Sequence, residues 1–564
     1  MKISKVIKFI SIIFLCLIGL YYIFFAVIAN SDLSRDRHIL FMDEQLVFDG
    51  VRTILHPPGF KKFFPAIFDG GDHRYGRILW NASALFSFIP ERLYGSQGQI
   101  IATRMVQFAA LLSAYFILIF AFITSWPLRV FGLLSLLSLP GTVYYASMPK
   151  PEPLQLLFLA LFLWQSKKRT FCFGMYWFFL GLAFGAKISV FLLIFYFTIL
   201  AFMQRLYLKK DIVHEPKNTK PRVALFSFLL GFLISEPVFL LTFRKFDLRY
   251  FSSYLHWTFL NTSHGADDST VTWLAWLKTL FNSYIVNIPW PLLFLTILCI
   301  GVLIFIHLIG LIKEIDSLRY INKMFLRYNA LIVLTAGLIL IIPNIVFVKR
   351  IWLFYLHNGS VIFLIGIFSL IEVSIASKEK VYEKLNFIKY ISFLLAGLLI
   401  IESLFFLTPV AAKEYTRLSK RTQEENFIKQ LSEYDYLTDL LIKISNRLGR
   451  KVAVFFDPNL FLPYSNEKFD LVRYWGHFIS WSEGKDVIIF YKNIPGEVPP
   501  PKTSLSYDLH VKSAQLLKEH VISTTGGRCK VSPCYYFYPS KLENISIYIK
   551  SDLYGALVDS YREE

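Results

Sequence analysis

Apolar runs of membrane-crossing length recur between residues 9 and 408 of this chain, and short clusters of lysine and arginine separate them. No other feature limits the fold so tightly. A run of about twenty apolar residues crosses a hydrocarbon core of roughly 30 Å only as a helix, whose backbone hydrogen bonds close within the segment. With 55% of residues hydrophobic and a mean hydropathy of +0.49, the composition excludes an ordinary soluble multidomain protein. The formal net charge of +19 would suit a nucleic-acid binder. The basic residues fall between apolar runs, however, as expected of cytoplasmic loops facing anionic lipid, so the charge reads as topology.

Lys2, Lys5 and Lys8 precede the first run, 9–28, which reads as an outward-going helix. Val27-Ile28-Ala29 would suit signal cleavage, but the apolar core exceeds the usual length of about 7–15 residues. Segment 30–99 carries eight basic and eight acidic residues and is placed outside. Its turn signals, Pro57-Pro58-Gly59 and Asp69-Gly70-Gly71-Asp72, break it into short interfacial pieces. Spans 101–124, 130–146 and 154–164 follow, the last ending at Lys167-Lys168-Arg169. Run 171–203 is either one very long helix or two short ones. One helix would put loop 204–222, with six basic and two acidic residues, outside; the positive-inside bias therefore splits the run at Lys187 into two helices meeting at the outer surface. Gly181 and Gly185 offer a small-residue face for close packing there. Spans 223–242, 290–312, 329–348, 351–371 and 390–408 complete a count of eleven, with a second outer loop at 243–289, and place all the strongly basic loops inside.

From residue 409 the composition becomes that of a soluble domain. Segment 413–447 reads as a polar helix, and 452–456, 487–491, 535–538 and 545–549 read as strands, which together predict a small α/β domain at 409–564 behind a membrane domain at 1–408. Eleven spans put this domain outside the cytoplasm, where Cys529 and Cys534 fit either a disulfide or free thiols. Cys16, Cys172 and Cys299 lie in apolar segments and read as packing residues.

Charged groups collect at the expected outer helix ends. Asp43 and Glu44 follow the first span, Glu152 opens the fourth within Pro151-Glu152-Pro153, Lys187 marks the split, and Lys349-Arg350 precedes Ile351-Trp352-Leu353-Phe354-Tyr355-Leu356. Charges at such depths are costly unless they line a site, although paired acids are often merely solvated and lysines often snorkel to the interface. His256, His264, Asp267 and Asp268 share the second outer loop; their spacing matches no metal-ligand motif, so contact with a phosphate or with nothing is favoured and divalent-metal dependence stays open.

The order of these motifs resembles that of the GT-C membrane glycosyltransferases, nearest the branch of protein O-mannosyltransferases and the lipid A aminoarabinose transferase. The resemblance covers roughly 5–371 and departs from the family at Leu356-His357-Asn358-Gly359, where a proline-containing stretch is more usual. It implies an inverting transferase that moves a sugar from a polyprenyl-phosphate carrier to an envelope glycan, lipid or protein on the outer face of a membrane, as in a bacterial inner membrane. Asp43 would be the base, Glu44 and Glu152 would orient the acceptor or hold a cation, and Lys349, Arg350 and Lys187 would meet the phosphate. The physics agrees: a phosphate leaving group needs cations, and a partly buried carboxylate suits the acceptor hydroxyl. A transporter or flippase of lipid-linked saccharide is the competing reading, but that class shows broken helices near the midplane and related halves, whereas here the charges sit at helix ends and no repeat is found.

Overall fold

A computed structural model of the chain describes residues 12, 13, 17, 20, 42–57, 60–68, 76–167, 173–207, 221–237, 290–317, 321–346, 354–376, 386–407, 425–456, 468–473, 485–491, 532–542 and 545–558. The described helices ahead of residue 408 are α1 Met42–Leu55, α2 Phe60–Phe68, α3 Ile78–Phe122, α4 Trp126–Leu137, α5 Pro140–Ser147, α6 Glu152–Lys167, α7 Phe173–Ala186, α8 Phe191–Tyr207, α9 Pro221–Ser235, α10 Trp290–Ser317, α11 Ile321–Val346, α12 Phe354–Ala376 and α13 Asn386–Ile401, the last running into a π-helical turn, Glu402–Leu407. Stretches Gln97–Phe122, Pro291–Ile309 and Leu356–Ile375 are long and apolar enough to cross a membrane, and α4, most of α7, α9 and parts of α8, α11 and α13 form shorter apolar helices. The expected first span, 9–28, falls outside the described elements.

Two compact units form. Residues 1–37, 50–263 and 270–419 make one, and residues 38–49, 264–269 and 420–564 make the other.

In the first unit, helices approach through glycine. An added Cβ at Gly181 would lie 2.1 Å from the Phe228 carbonyl oxygen, and one at Gly231 would lie 2.2 Å from that of Phe178. Backbone contact of this kind replaces the hydrophobic driving force that lipid does not provide. Gly174 meets Val223, Gly181 meets Phe228 and Gly185 meets Ser235, so α7 and α9 run parallel. Gln155 bonds Ala183 while Phe162 packs on Tyr176, so α6 runs opposite to α7. The run between Phe173 and Tyr207 breaks at Lys187, where a 3-10 turn, Ile188–Val190, joins α7 to α8. The parallel α7 and α9 require α8 to return between them, which is the split that the basic loop at 204–222 demanded. In the same way α11 and α12 are antiparallel: Gly359 meets Ile341, Gly337 meets Phe363, and Gly366 meets Leu334.

Two expectations need correction. Residues 130–146 are not one span, because α4 ends at Leu137 and α5 starts at Pro140, which occupies the first helical turn where its missing N–H costs nothing. The apolar side chains on both sides hide that break. Residues 78–99, expected as interfacial pieces in a broken loop, belong to α3, whose halves meet at a non-helical Gly95 with φ of 60°. Leu85, Phe86, Ile89, Leu93 and Tyr94 on its first half are exposed, as an apolar face resting in a membrane interface requires.

The second unit holds α14 Glu425–Leu448, β1 Val452–Phe456, β2 Phe469–Arg473, β3 Val487–Tyr491, β4 Tyr535–Tyr538, β5 Ile545–Lys550 and α15 Ser551–Val558. The sheet order is β2-β1-β3-β5-β4. β2 and β3 lie parallel to β1, while β5 pairs antiparallel with β3 and β4. Leu437, Leu440, Leu441 and Ile444, at helical spacing, bury one face of α14 with Val452, Val454, Val487, Ile489, Ile547 and Ile549. The expected strands are all present, and β2 is added. Its sequence, Phe-Asp-Leu-Val-Arg, mixes charge into an edge strand, where charges discourage pairing with other chains and conceal the apolar alternation. Cys534 is disulfide-bonded, and Cys529 lies outside the described residues. Cys299 is buried and free, as a packing residue should be.

Asp486 ties the start of this sheet together. Its two carboxylate oxygens accept from the Arg450 guanidinium at 2.7 and 2.8 Å, and one also accepts the Ala453 N–H at 2.9 Å. Burial pushes the carboxyl up, but the hydrogen bonds from Arg450 and Ala453 and the charges of Arg450 and Lys550 outweigh it and hold the group below its ordinary value. A depressed folded-state pKa stabilises above the unfolded value of about 3.9 and ceases to do so as pH falls through the folded value.

Asp486→Asn is therefore expected to destabilise the second unit by about 1–3 kcal/mol near neutral pH and to flatten its loss of stability below about pH 4. Hydrogen exchange of β1 and β3 amides in the full chain measures both; unchanged protection would remove the latch. Gly181→Leu is expected to separate α7 from α9 and lower the unfolding temperature of the detergent-solubilised chain, while Gly301→Leu, with nothing within 4 Å of its added Cβ, leaves it within a degree or two.

Candidate functional site

Where α6 begins and α7 ends, the apolar bundle contains a knot of polar groups. Glu152 opens α6 and is buried. Lys187 Nζ donates to Glu152 Oε1, with the two side chains only 12% and 6% exposed. Isolated charges could not persist at this burial, so the pair is what makes either residue tolerable.

The break at Lys187 leaves carbonyls without helical partners, and the surroundings satisfy them. Gln155, one turn into α6, donates to the Lys187 carbonyl and also to that of Ala183, which still accepts the Lys187 N–H at 3.3 Å. The Gly76 N–H donates to the Ala186 carbonyl at 3.0 Å. Gly76 has to be glycine there, since a Cβ would fall 2.0 Å from the Gly185 carbonyl oxygen. Arg77 then turns back to donate to Ala66 at 3.0 Å and lies over Trp80, which in turn closes on Gly50.

α12 closes the knot from the other side. Asn358 Nδ2 donates to the Glu152 carbonyl at 3.0 Å and to Gln155 Oε1 at 3.1 Å, and Ser189 donates to the same Gln155 oxygen at 3.2 Å. Next to it, His357 Nε2 lies 2.8 Å from Tyr115 Oη, itself 2.7 Å from Thr142 Oγ1. Thr142 donates its proton to the Leu136 carbonyl. Thr142, Tyr115 and His357 thus form one hydrogen-bonded chain that links α5, α3 and α12. His357 Nδ1 faces Gly141, where an added Cβ would lie 2.5 Å from it. Glu152 Oε2 and Asn358 Oδ1 are buried without a hydrogen-bond partner among the described residues. Both are acceptors, so the knot can receive hydrogen bonds from hydroxyl or ammonium groups.

Arg104, Gln107 and Lys150 are also buried. Phe108 packs on Ala146, so the Arg104–Gln107 turn of α3 lies at the end of the bundle where Lys150 and Glu152 sit. Glu236, just past α9, is buried as well; Ser235 before it donates to Leu182 at 2.8 Å, near the end of α7.

Glu152 and Lys187, assigned different roles by the sequence, are thus brought together as one pair. Asp43 and Glu44 lie in the first turn of α1 within the second unit, and their side chains are outside the described ones. Lys349, Arg350, His256, His264, Asp267 and Asp268 lie outside the described residues. Among the described residues no three His, Cys, Asp or Glu side chains stand together as a metal site would require. Sequence reasoning did not find Gln155, His357, Asn358, Arg104 or Glu236. The departure at Leu356-His357-Asn358-Gly359 was a signal for two of them, and a charge inside an apolar run was a signal for Arg104.

No protein-family model matches the chain, and no curated protein does. Solved structures similar to it include two of one protein. ArnT from Cupriavidus metallidurans bound to undecaprenyl phosphate is 11% identical with a TM-score of 0.49, over 96% of this chain and 98% of that one. ArnT from the same organism in the apo state is 10% identical with a TM-score of 0.48, over 95% of this chain and 98% of that one.

Removing one member of the buried pair strands the other, so Lys187→Met is expected to destabilise the chain by about 3–5 kcal/mol. The double variant Glu152→Leu with Lys187→Met regains most of this. Thermal unfolding in detergent of the single and double variants checks it; a double variant as unstable as the sum of the two singles would deny the coupling.

Proposed function

We propose that the chain is a membrane glycosyltransferase that takes a sugar from a polyprenyl-phosphate carrier, with inversion at the anomeric carbon, and gives it to an envelope glycan, lipid or protein outside the cytoplasm. The observation that carries this reading is the buried Lys187–Glu152 pair, flanked by Asn358 and Gln155 at the end of an apolar bundle. A cation and a carboxylate held in an apolar setting answer the two needs of the reaction, charge on a departing phosphate and hydrogen bonds to sugar or acceptor hydroxyls. Nucleotide sugars are confined to the cytoplasm, so transfer outside needs a donor whose lipid carries it across.

In this reading Asp43 takes the acceptor hydroxyl proton as its oxygen attacks the anomeric carbon, and the bond to the phosphate oxygen breaks on the opposite face. Glu44 and Glu152 orient the acceptor. Lys187, Lys349 and Arg350 meet the phosphate, with Lys187 exchanging part of its contact with Glu152 for the anion. The same reading pairs Cys529 with Cys534.

Asp43→Asn is expected to abolish transfer from a polyprenyl-phosphate sugar in a membrane assay while leaving insertion intact. Lys349→Ala and Arg350→Ala are expected to raise KM for the lipid donor by about 10-fold or more each, the size of one charge-assisted hydrogen bond. Cells lacking the chain accumulate unused lipid-linked sugar, visible by mass spectrometry; normal transfer by Asp43→Asn would sink the mechanism, and no accumulation would sink the donor class.

A further inference from the structure

At the far end of α6 from the knot lies a cluster that the proposed reaction does not use. α3 ends at Phe122, and the last carbonyls of a helix have no partner further along it. Lys167, in the last turn of α6, donates to the Ala121 carbonyl, and Arg129 Nε of α4 donates to the Ile123 carbonyl at 2.7 Å. Lys167 lies within electrostatic range of both Arg129 and Glu372 of α12. The Glu372 carboxylate is occupied in the turn into α4, where it accepts the N–H groups of Thr124 and Ser125 at 2.7 to 3.1 Å. Lys168 and Arg169 follow Lys167 in sequence, so positive charge predominates here, and the positive-inside bias assigns this end to the cytoplasm.

Arg129 is held by rings as well. Its guanidinium carbon lies 4.6 Å from the centre of Phe120 and 5.2 Å from that of Trp126, and those two rings meet edge to face at 5.9 Å. Phe116, one turn earlier on α3, continues the row at 6.2 Å from Phe120. Phe116 and Phe120 are 38% and 46% exposed and belong to Gln97–Phe122, a stretch long and apolar enough to cross a membrane. The row of rings therefore faces acyl chains, and it leads to a fixed cation at the end of the span. Of the five N–H donors of a guanidinium, the one on Nε goes to the Ile123 carbonyl; the two terminal nitrogens form the fork that grips a phosphate by parallel hydrogen bonds.

We propose that Arg129 and Lys167 form a binding site for an anionic phospholipid of the cytoplasmic leaflet. The Arg129 fork holds the phosphate, Lys167 adds a second positive charge beside it, and an acyl chain lies along Phe120 and Phe116. A lipid whose head carries its own quaternary ammonium would bring a third cation to the pair, so a head of net negative charge is preferred. The site does not depend on the sugar-transfer reading, because none of its residues belongs to that knot.

Native mass spectrometry of the full chain, released from detergent with equal amounts of phosphatidylglycerol and phosphatidylcholine of identical acyl chains, tests this. The wild-type chain is expected to retain phosphatidylglycerol about 10-fold over phosphatidylcholine. Arg129→Gln is expected to lower that ratio about fivefold, which is about 1 kcal/mol at 1.4 kcal/mol per factor of ten and the size expected of one basic residue at an anionic lipid surface. Arg92→Gln removes the same charge from an exposed arginine that lies over Phe88 on the first half of α3, and it is expected to leave the ratio within about twofold. Equal retention of the two lipids by the wild-type chain overturns the proposal. So does an equal fall in both variants, which would show general attraction to a basic protein, and so does displacement of the lipid by inorganic phosphate, which would show an ion site alone. Where Arg129→Gln does not fold, Arg129→Lys, which keeps the charge but loses the fork, is expected to lower the ratio about threefold, and an unchanged ratio overturns the proposal.

Discussion

The helical unit depends on one constraint: a polar group without water must find its partner in the protein. Lys187 interrupts an otherwise continuous apolar run and brings both a charge and a broken backbone into the bundle. Its ammonium is met by Glu152, its carbonyl by Gln155, and the preceding carbonyl of Ala186 by Gly76. Asn358 then binds the Glu152 carbonyl and the Gln155 side chain. Helices far apart in sequence are tied at one end because leaving any of these groups unmet costs more than ordering the side chains that meet them. The same residues that satisfy the break supply the chemistry available at it.

Glycine has a complementary part along the length of the helices. In lipid, packing and hydrogen bonds hold helices together, so contact of backbone on backbone at Gly181, Gly231, Gly337 and Gly366 fixes neighbours and their direction. The rigid pairs α7 with α9 and α11 with α12 carry the ends at which the polar residues gather. The second unit obeys the rules of water instead. Its helix buries one stripe and its strands bury alternating or whole faces, and its strongest polar contact, Asp486 with Arg450, ties strand ends rather than lining an apolar bundle.

Where sequence reading succeeded, the signal was local or additive. Length and apolarity marked the helices, the excess of positive charge at 204–222 forced the break at Lys187, and short β-branched and aromatic runs marked β1, β3, β4 and β5. Where it failed, the deciding contact was not local. The stop between Leu137 and Pro140 is hidden by apolar residues on both sides, and β2 carries Asp470 and Arg473 in a five-residue strand that only its partner β1 identifies. Gln155 and Ser135 look like ordinary polar residues in apolar helices until their distant partners, the Lys187 carbonyl and Ser403, are known.

By itself, the sequence determined that this chain folds as an apolar helical part followed by an α/β part, because hydropathy and charge act within a window of a few turns. It also marked Glu152 and Lys187 as charges that need partners, though not that they are each other's. Distant contacts alone made Glu152 and Lys187 partners, set His357 beside Tyr115, and gave the Glu402 carboxyl the Thr296 hydroxyl. Those facts depend on hydrogen bonds between residues 35, 106 or 242 positions apart, and no local pattern specifies which distant donor a buried acceptor will meet.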